Sequence, residues 1–259
     1  MQLQALPALS DNYIWVLRDD EGGAVVVDPG EAGPVVDAAA AGGFRPTAVL
    51  LTHHHQDHIG GTAELQNRWP GLPVFAPHDD RIACAATRVR DGEQVSAGGY
   101  AFDVIAVPGH TTSHIAFHLD GGRDSLLFCG DTLFSLGCGR MFEGSATQMH
   151  GSLSRLAALP GATRVCCGHE YTLSNAAFAR VVEPDNPALR RRTEEAQAMR
   201  HADRPTLPST IAQELACNPF LRCEQPAVIA AVEQRLGRRS EGPVEVFAEL
   251  RRWKDGFTA

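Results

Sequence analysis

From Thr52 to His58 the chain reads Thr-His-His-His-Gln-Asp-His, its densest concentration of ligand chemistry. Four imidazoles and a carboxylate within six positions supply nitrogen and oxygen donors that suit zinc, iron or manganese. Side chains alternate in an extended loop, so His53 and His55 should face one way and His54 the other. Three further candidates share one local grammar: His110 after Val107-Pro108-Gly109, Asp131 after Leu126-Leu127-Phe128-Cys129-Gly130, and His169 after Val165-Cys166-Cys167-Gly168. In each, an apolar run meets a glycine and then a ligand type. A glycine lets the backbone turn sharply and pass close to an ion. One such residue would be an ordinary loop position; four ligand groups delivered by four strand ends point to a shared metal centre. His114, His118 and His150 read instead as hydrogen-bonded or core residues, and His78 and His201 as surface ones.

The elements that must position these groups follow from periodicity. Short apolar runs rich in β-branched residues recur at Tyr13–Leu17, Ala24–Val27, Ala48–Leu51, Val74–Ala76, Tyr100–Val107, Ile115–Leu119, Ser125–Cys129 and Arg164–Cys167. Gly, Pro and Asp punctuate them, as between strands. The histidine run directly follows Ala48–Leu51 and precedes Gly60-Gly61, so it is a loop at the carboxyl end of a strand, where α/β folds place their sites. Helical stretches at Thr62–Arg68 and Thr147–Leu159 intervene, and the class is α/β in layers. After about Tyr171 strand-like runs disappear. Asn186-Pro187 reads as an N-cap followed by proline at the first helical position, opening a helix through Arg200. Gln225-Pro226 and Gly242-Pro243 start two more, and Gly237 marks a helix end. The expectation is two domains, residues 1–170 and residues 171–259, the second smaller and all-α.

Composition narrows the function classes. With 259 residues, 44% apolar and 21% charged, the chain has an ordinary globular core. A net charge of −8 disfavours a nucleic-acid partner, since phosphates repel an acidic surface. No apolar run approaches a membrane span, and residues 1–10 lack the cationic start and apolar core of a signal peptide. A cytoplasmic protein with no membrane partner is expected. The seven cysteines form no CxxC pair, which argues against a disulfide framework or zinc ribbon and for reduced core thiols.

His53-x-His55-x-Asp57-His58, with His110, Asp131 and His169 downstream, resembles the metallo-β-lactamase superfamily. Within it the chain is similar to the glyoxalase II (hydroxyacylglutathione hydrolase) family. The supporting segments are Ser10-Asp11-Asn12-Tyr13, Pro108-Gly109-His110-Thr111, Gly130-Asp131-Thr132-Leu133-Phe134, Gly137-Cys138-Gly139-Arg140, Gly168-His169-Glu170-Tyr171-Thr172, Asn218-Pro219-Phe220-Leu221-Arg222 and Arg251-Arg252-Trp253-Lys254-Asp255. The last four narrow the superfamily to this family. The resemblance implies an αββα sandwich followed by a helical, glutathione-binding domain. It also implies two divalent metal ions, zinc first with iron or manganese as alternatives. His53, His55 and His110 would hold one, Asp57, His58 and His169 the other, and Asp131 would bridge them. Arg251 and Lys254, at i and i+3 on the last helix, would meet glutathione carboxylates, and Tyr171 would add a hydroxyl contact. Gly139-Arg140-Met141-Phe142 departs from the family: Arg140 and Phe142 stand where many members carry lysine and tyrosine. Arg140 keeps the cation, whereas Phe142 loses a hydroxyl.

Such a site suits a thioester. Two ions about 3.5–4 Å apart can share a water and bring its pKa near neutrality, and the same charges stabilise a developing oxyanion. The leaving thiol has a pKa of about 8.5, so it departs with little help from an acid. Asp57 could orient the attacking group, and no serine or cysteine nucleophile is needed. The expected reaction is hydrolysis of S-(2-hydroxyacyl)glutathione, such as S-D-lactoylglutathione, to a hydroxy acid and glutathione in methylglyoxal detoxification, by a monomer. The alternative on the same fold is a single-iron glutathione persulfide dioxygenase. A structural metal site in a binding protein is a third reading, disfavoured because closed structural zinc sites usually use cysteine.

Overall fold

In the computed structural model, which describes residues 1–258, the chain divides into two compact units that interleave along the sequence. Met1–Ala106, Ser113–Gly130 and Cys166–His169 form the first; Val107–Thr112, Asp131–Val165 and everything from Glu170 onward form the second. A single cut near residue 170 was expected from the change of secondary-structure class. The compact division differs because the segments 107–112 and 131–165 fold with the C-terminal helices.

The first unit is built on two sheets. Strands β1 (Gln2–Ala8), β2 (Asn12–Arg18), β3 (Gly23–Val27), β4 (Arg45–Leu50), β5 (Val74–Pro77) and β6 (Thr87–Val89) lie in that order, antiparallel through β3 and parallel from β3 to β6. Central strands β2 and β3 are buried along nearly their whole length, so both read as continuous apolar runs. Edge strand β1 alternates exposed and buried residues and carries Pro7, which hid it from the apolar-run reading. Helices α1 (Gly33–Gly42), the single turn α2 (Gln56–Ile59) and α3 (Thr62–Arg68) belong to this unit. Val35 and Ala39 of α1 and Leu65 of α3 close a core with Ile14, Val16, Val26 and Val49 of the sheet. The second sheet contains β7 (Gln94–Ala97), β8 (Tyr100–Ala106), β9 (Ile115–Leu119) and β10 (Leu126–Gly130). Trp15 Nε1 donates to Cys167 O at 2.9 Å and Tyr100 Oη to Arg18 O at 3.3 Å, tying this layer to the first sheet.

In the second unit β11 (Leu133–Phe134) and β12 (Gly137–Cys138) form a tight hairpin, followed by α4 (Ala146–Ala157). Ser145 and Gln148 make a reciprocal capping box at the start of α4. Strand β13 (Arg164–Cys167) begins here and ends in the first unit, where Gly168 N bonds Gly130 O beside β10. Helices α5 (Thr172–Val182), α6 (Pro187–His201), α7 (Ile211–Cys217), α8 (Pro226–Leu236) and α9 (Pro243–Asp255) follow. Asn186 accepts from the amides of Ala188 and Leu189, Pro187, Pro226 and Pro243 open their helices, and Gly237 closes α8 with φ 69°. One strand does occur beyond Tyr171: β14 (Ser209–Thr210) pairs with the start of β13. Two residues held by register leave no periodic signal.

Candidate metal centre and substrate pocket

Parallel pairing sets Val27 of β3 beside Leu50 of β4, so both strands deliver their carboxyl-end loops to one edge. Asp28 takes φ 50° there and accepts from Thr52 N at 2.8 Å and Thr52 Oγ1 at 2.7 Å. Because the Thr52 hydroxyl proton is given to Asp28, the 3.0 Å contact between Thr52 Oγ1 and His53 Nδ1 has the imidazole as donor. His58 Nδ1 donates to Asp28 Oδ2 at 3.0 Å, and His169 Nδ1 to Asp11 Oδ1 at 2.7 Å. All three rings are thereby fixed with Nε2 as the lone-pair nitrogen, the tautomer that metal-ligating histidines use when an outer acceptor holds the other nitrogen.

Those nitrogens converge with oxygen. Asp57 Oδ2 lies 3.5 Å from His58 Nε2 and 3.4 Å from His169 Nε2, and one donor atom from each residue falls within 4.8 Å of the others. Asn12 steadies this carboxylate by donating to Asp57 Oδ2 at 3.1 Å and to Asp57 O at 3.2 Å. His53 Nε2 and His55 Nδ1 face each other at 3.1 Å. Imidazole and carboxylate donors, convergent and oriented from behind, fit a divalent metal ion; the donor set is that of zinc, iron and manganese alike. His54 turns instead toward Asp79 (3.4 Å), although its ring also lies 4.7 Å from that of His55. The Arg81 guanidinium grips Asp79 with two bonds, its backbone amide adds a third, and together they hold the carboxyl well below the usual range. His114 stacks on His53 at 4.5 Å, so it buttresses the cluster from the core.

The second unit carries His110 and Asp131, with His110 Nε2 3.5 Å from Asp131 Oδ2. His110 Nδ1 donates to Arg140 O at 2.8 Å, which again leaves Nε2 as the lone-pair nitrogen. A Cβ at Gly139 would run into the carbonyl oxygen of Asp131, so only glycine fits where these two segments cross. His110 and Asp131 open onto a cavity of about 380 Å³ whose wall also includes Arg140, Phe142, Tyr171, Arg251 and Lys254. All five expected substrate contacts therefore border one space.

Their states differ. Arg251 is buried; it donates to Cys138 O at 2.9 Å and to Asp255 at 3.0 and 3.2 Å, with its guanidinium over the Phe220 ring. Arg140 is exposed and shares Asp255. Lys254 Nζ donates to Ser174 O at 3.1 Å, and burial followed by the Arg251 charge lowers its pKa. Tyr171 caps α5 with its ring 5.2 Å from Phe134. Phe142 is 62% exposed, its ring edge-on to His110 at 5.3 Å. Burial lifts the Cys138 thiol to about 11, so it remains a neutral thiol near pH 7.

Sequence reasoning gave no role to Asp11, Asn12, Asp28 and Thr52, which hold the ligand side chains from behind, although all but Asp28 lie in segments it singled out. Asp28 directly follows the apolar run Ala24–Val27 without the intervening glycine that marked Asp131 and His169, so a looser rule, any acid after a strand end, would have found it. The roles of the others carried no local signal, because what they grip lies 24 positions away for Thr52, 45 for Asn12 and 158 for Asp11.

Profiles of known families match nearly the whole chain: the metallo-β-lactamase superfamily over residues 9–169 and the hydroxyacylglutathione hydrolase C-terminus over residues 170–257. A hydroxyacylglutathione hydrolase from Xanthomonas axonopodis pv. citri (strain 306) is 61% identical over 259 residues, covering 100% of each chain. The crystal structure of BLEG-1 B3 metallo-β-lactamase shares the fold, with a TM-score of 0.66 at 24% identity over 85% of this chain and 99% of that one. TTHA1623, solved in a di-iron-bound form, has a TM-score of 0.55 at 29% identity over 63% of this chain and 90% of its own. The convergent imidazole and carboxylate donors and the cation-walled cavity thus sit on a scaffold with a known lineage, and the chain belongs to the hydroxyacylglutathione hydrolase family of the metallo-β-lactamase superfamily.

Proposed function

We propose that this enzyme hydrolyses S-(2-hydroxyacyl)glutathione thioesters, S-D-lactoylglutathione in particular, to a 2-hydroxy acid and glutathione. The observation that carries the reading is the single cavity on which candidate ligands His110 and Asp131 and the cations Arg140, Arg251 and Lys254 all open. His53, His55 and His110 would hold one divalent ion, Asp57, His58 and His169 a second, and Asp131 would serve both. Zinc is our first assignment, and the di-iron form of TTHA1623 keeps iron in view. When bound, such ions polarise an acyl carbonyl and acidify water.

The chain's own residues do the rest. Asp57, held by Asn12, orients the attacking water through its carboxylate. Arg140, Lys254 and the Tyr171 hydroxyl bind the glutathione moiety, with Phe142 packing against it at the mouth. Arg251 contributes mainly through Cys138 O and Asp255, since its fork is already engaged. We assign metal binding to residues 1–170 and glutathione binding chiefly to residues 171–259.

Among the described residues no helix is long and apolar enough to cross a membrane, and the seven cysteines are all free thiols. Free thiols fit a reducing cytoplasm, and we take the working form to be a monomer, which sedimentation would check. The single-iron persulfide dioxygenase is not favoured, because the hydroxyacylglutathione hydrolase C-terminal profile matches residues 170–257 and full-length relatives carry that name. The deciding assay is thiol release from S-D-lactoylglutathione by metal-analysed protein, with Asp131→Ala beside it. Release that vanishes in the variant is expected. Inert protein carrying its metals sinks the proposal.

A further inference from the structure

Four buried polar side chains of the second unit converge on the β11–β12 hairpin. Glu214 of α7 is fully buried, and its Oε2 accepts from Leu136 N at 2.8 Å and from Asn218 Nδ2 at 3.1 Å. Asn218, equally buried, also reaches Phe134 O at 3.1 Å and Gly137 O at 2.9 Å. Asn175 of α5 donates to Ser135 O at 3.1 Å, and Arg192 of α6 reaches Ser135 Oγ at 3.3 Å. The hairpin therefore meets side chains on its turn and at the turn-side end of both strands.

Such a clamp has a cost and a reason. Burial raises the Glu214 pKa against the opposing pull of Ser209, Leu136, Arg192 and Asn218, and the cost of keeping this carboxylate inside is offset by the two bonds that converge on its Oε2. Leu136 turns at φ 60°, a left-handed conformation costing a non-glycine residue about 1 kcal/mol, and the Glu214 carboxylate bonds that very amide. The hairpin is also short. Asp131 lies two residues before it and Arg140 two residues after it. Gly139 N bonds Thr132 O at 3.1 Å to close its base, and Arg140 O receives His110 Nδ1. Displacing the turn would shift Asp131, Arg140 and the orientation of His110 together.

We propose that Glu214, acting with Asn218, is a positioning residue for the reaction: it fixes the hairpin and thereby the Asp131 carboxylate, the Arg140 backbone and the His110 ring. The inference rests on the thioesterase reading above, which gives those three groups their work.

The test compares Glu214→Ala with Glu183→Ala. Glu183 is a similarly buried carboxylate of the same unit, bonded instead to Arg222 at 2.8 and 3.0 Å. Both changes should lower Tm. Only Glu214→Ala should also lower kcat/KM by about tenfold or more, reduce bound metal per chain and weaken binding of S-methylglutathione, a thioether with no scissile acyl group. Glu214→Gln should restore all three to within about threefold, because both donors meet one oxygen that a glutamine carbonyl can present. Glu214→Ala protein that matches Glu183→Ala in kinetics, metal content and ligand affinity overturns the proposal. If Glu214→Ala fails to fold, Asn218→Ala is scored against the same control by the same rule. Wild-type protein that releases no thiol refutes the thioesterase reading alone; metal content and S-methylglutathione affinity still decide the positioning role.

Discussion

In the first unit His53, His58 and His169 each have Nδ1 held from behind by an oxygen, so their outward nitrogens are fixed before any ligand arrives. In the second unit the cations that line the cavity are differently prepared. Arg251 and Arg140 share Asp255, Lys254 leans on a backbone carbonyl, and Phe142 stands in solvent. The first arrangement suits ions that need two or three donors within a few tenths of an ångström of their ideal places. The second suits a flexible anionic tripeptide, which brings its own carboxylates and can share guanidinium and ammonium donors with groups already present. Preorganisation is strict where the chemistry has short reach and loose where the ligand is long.

The contrast predicts unequal damage. Asp57→Ala removes a convergent donor and, with it, the carboxylate proposed above to orient water, and kcat should fall by about 10³-fold with loss of bound metal measured by elemental analysis. Retention of full activity would break the contrast outright. Asp28→Asn leaves the left-handed backbone comfortable, since asparagine tolerates it, but it removes the charge behind His58 and Thr52 and turns one of the two accepting oxygens into an NH2 donor. Metal affinity by chelator competition should drop about 10–100-fold.

Lys254→Ala should raise KM by about tenfold at nearly constant kcat, the pattern of lost uniform binding. The pH dependence has a definite sign. Burial lowers the Lys254 pKa below 10.5, so the bound ammonium is lost earlier on the alkaline side, and KM should climb before ordinary lysine titration. The same shift makes the charged lysine a destabilising contributor below its folded pKa. That penalty is relieved as pH rises from there toward 10.5. A KM flat through this alkaline window would argue that Lys254 makes no charge contact.

Phe142→Tyr restores a hydroxyl on an exposed ring and should move KM by less than about threefold, with Tm nearly unchanged. Smallest of all is the response to alkylation. Cys138 is pushed up to about 11, and Cys217 and Cys223 to about 12, so iodoacetamide at pH 7 should leave thioester hydrolysis intact.

Part of this was open in the one-dimensional text. Buried strands such as β2, β3, β9 and β10 are largely apolar, and the helix starts are marked by Pro187, Pro226 and Pro243, with a side-chain cap from Asn186 at the first. Ligand residues after strand ends stand out because histidine, aspartate and glycine are rare in that order. By contrast β1, β11, β12 and β14 are short or alternating, and their existence rests on partners elsewhere in the chain. The same reason hid the role of Asp11, whose grip on His169 spans 158 positions.

By itself, then, the sequence determined residue chemistry: which nitrogens and oxygens are available, which runs must be buried, and which family shares the pattern. Only the tertiary structure decided orientation. It gave Nδ1 of His53, His58, His110 and His169 an oxygen acceptor, placed Arg251 in the interior and Phe142 outside, and turned Glu214 and Asn218 onto a hairpin some eighty residues away. Those outcomes depend on hydrogen bonds and burial between distant segments, and such terms have no local signature in the chain.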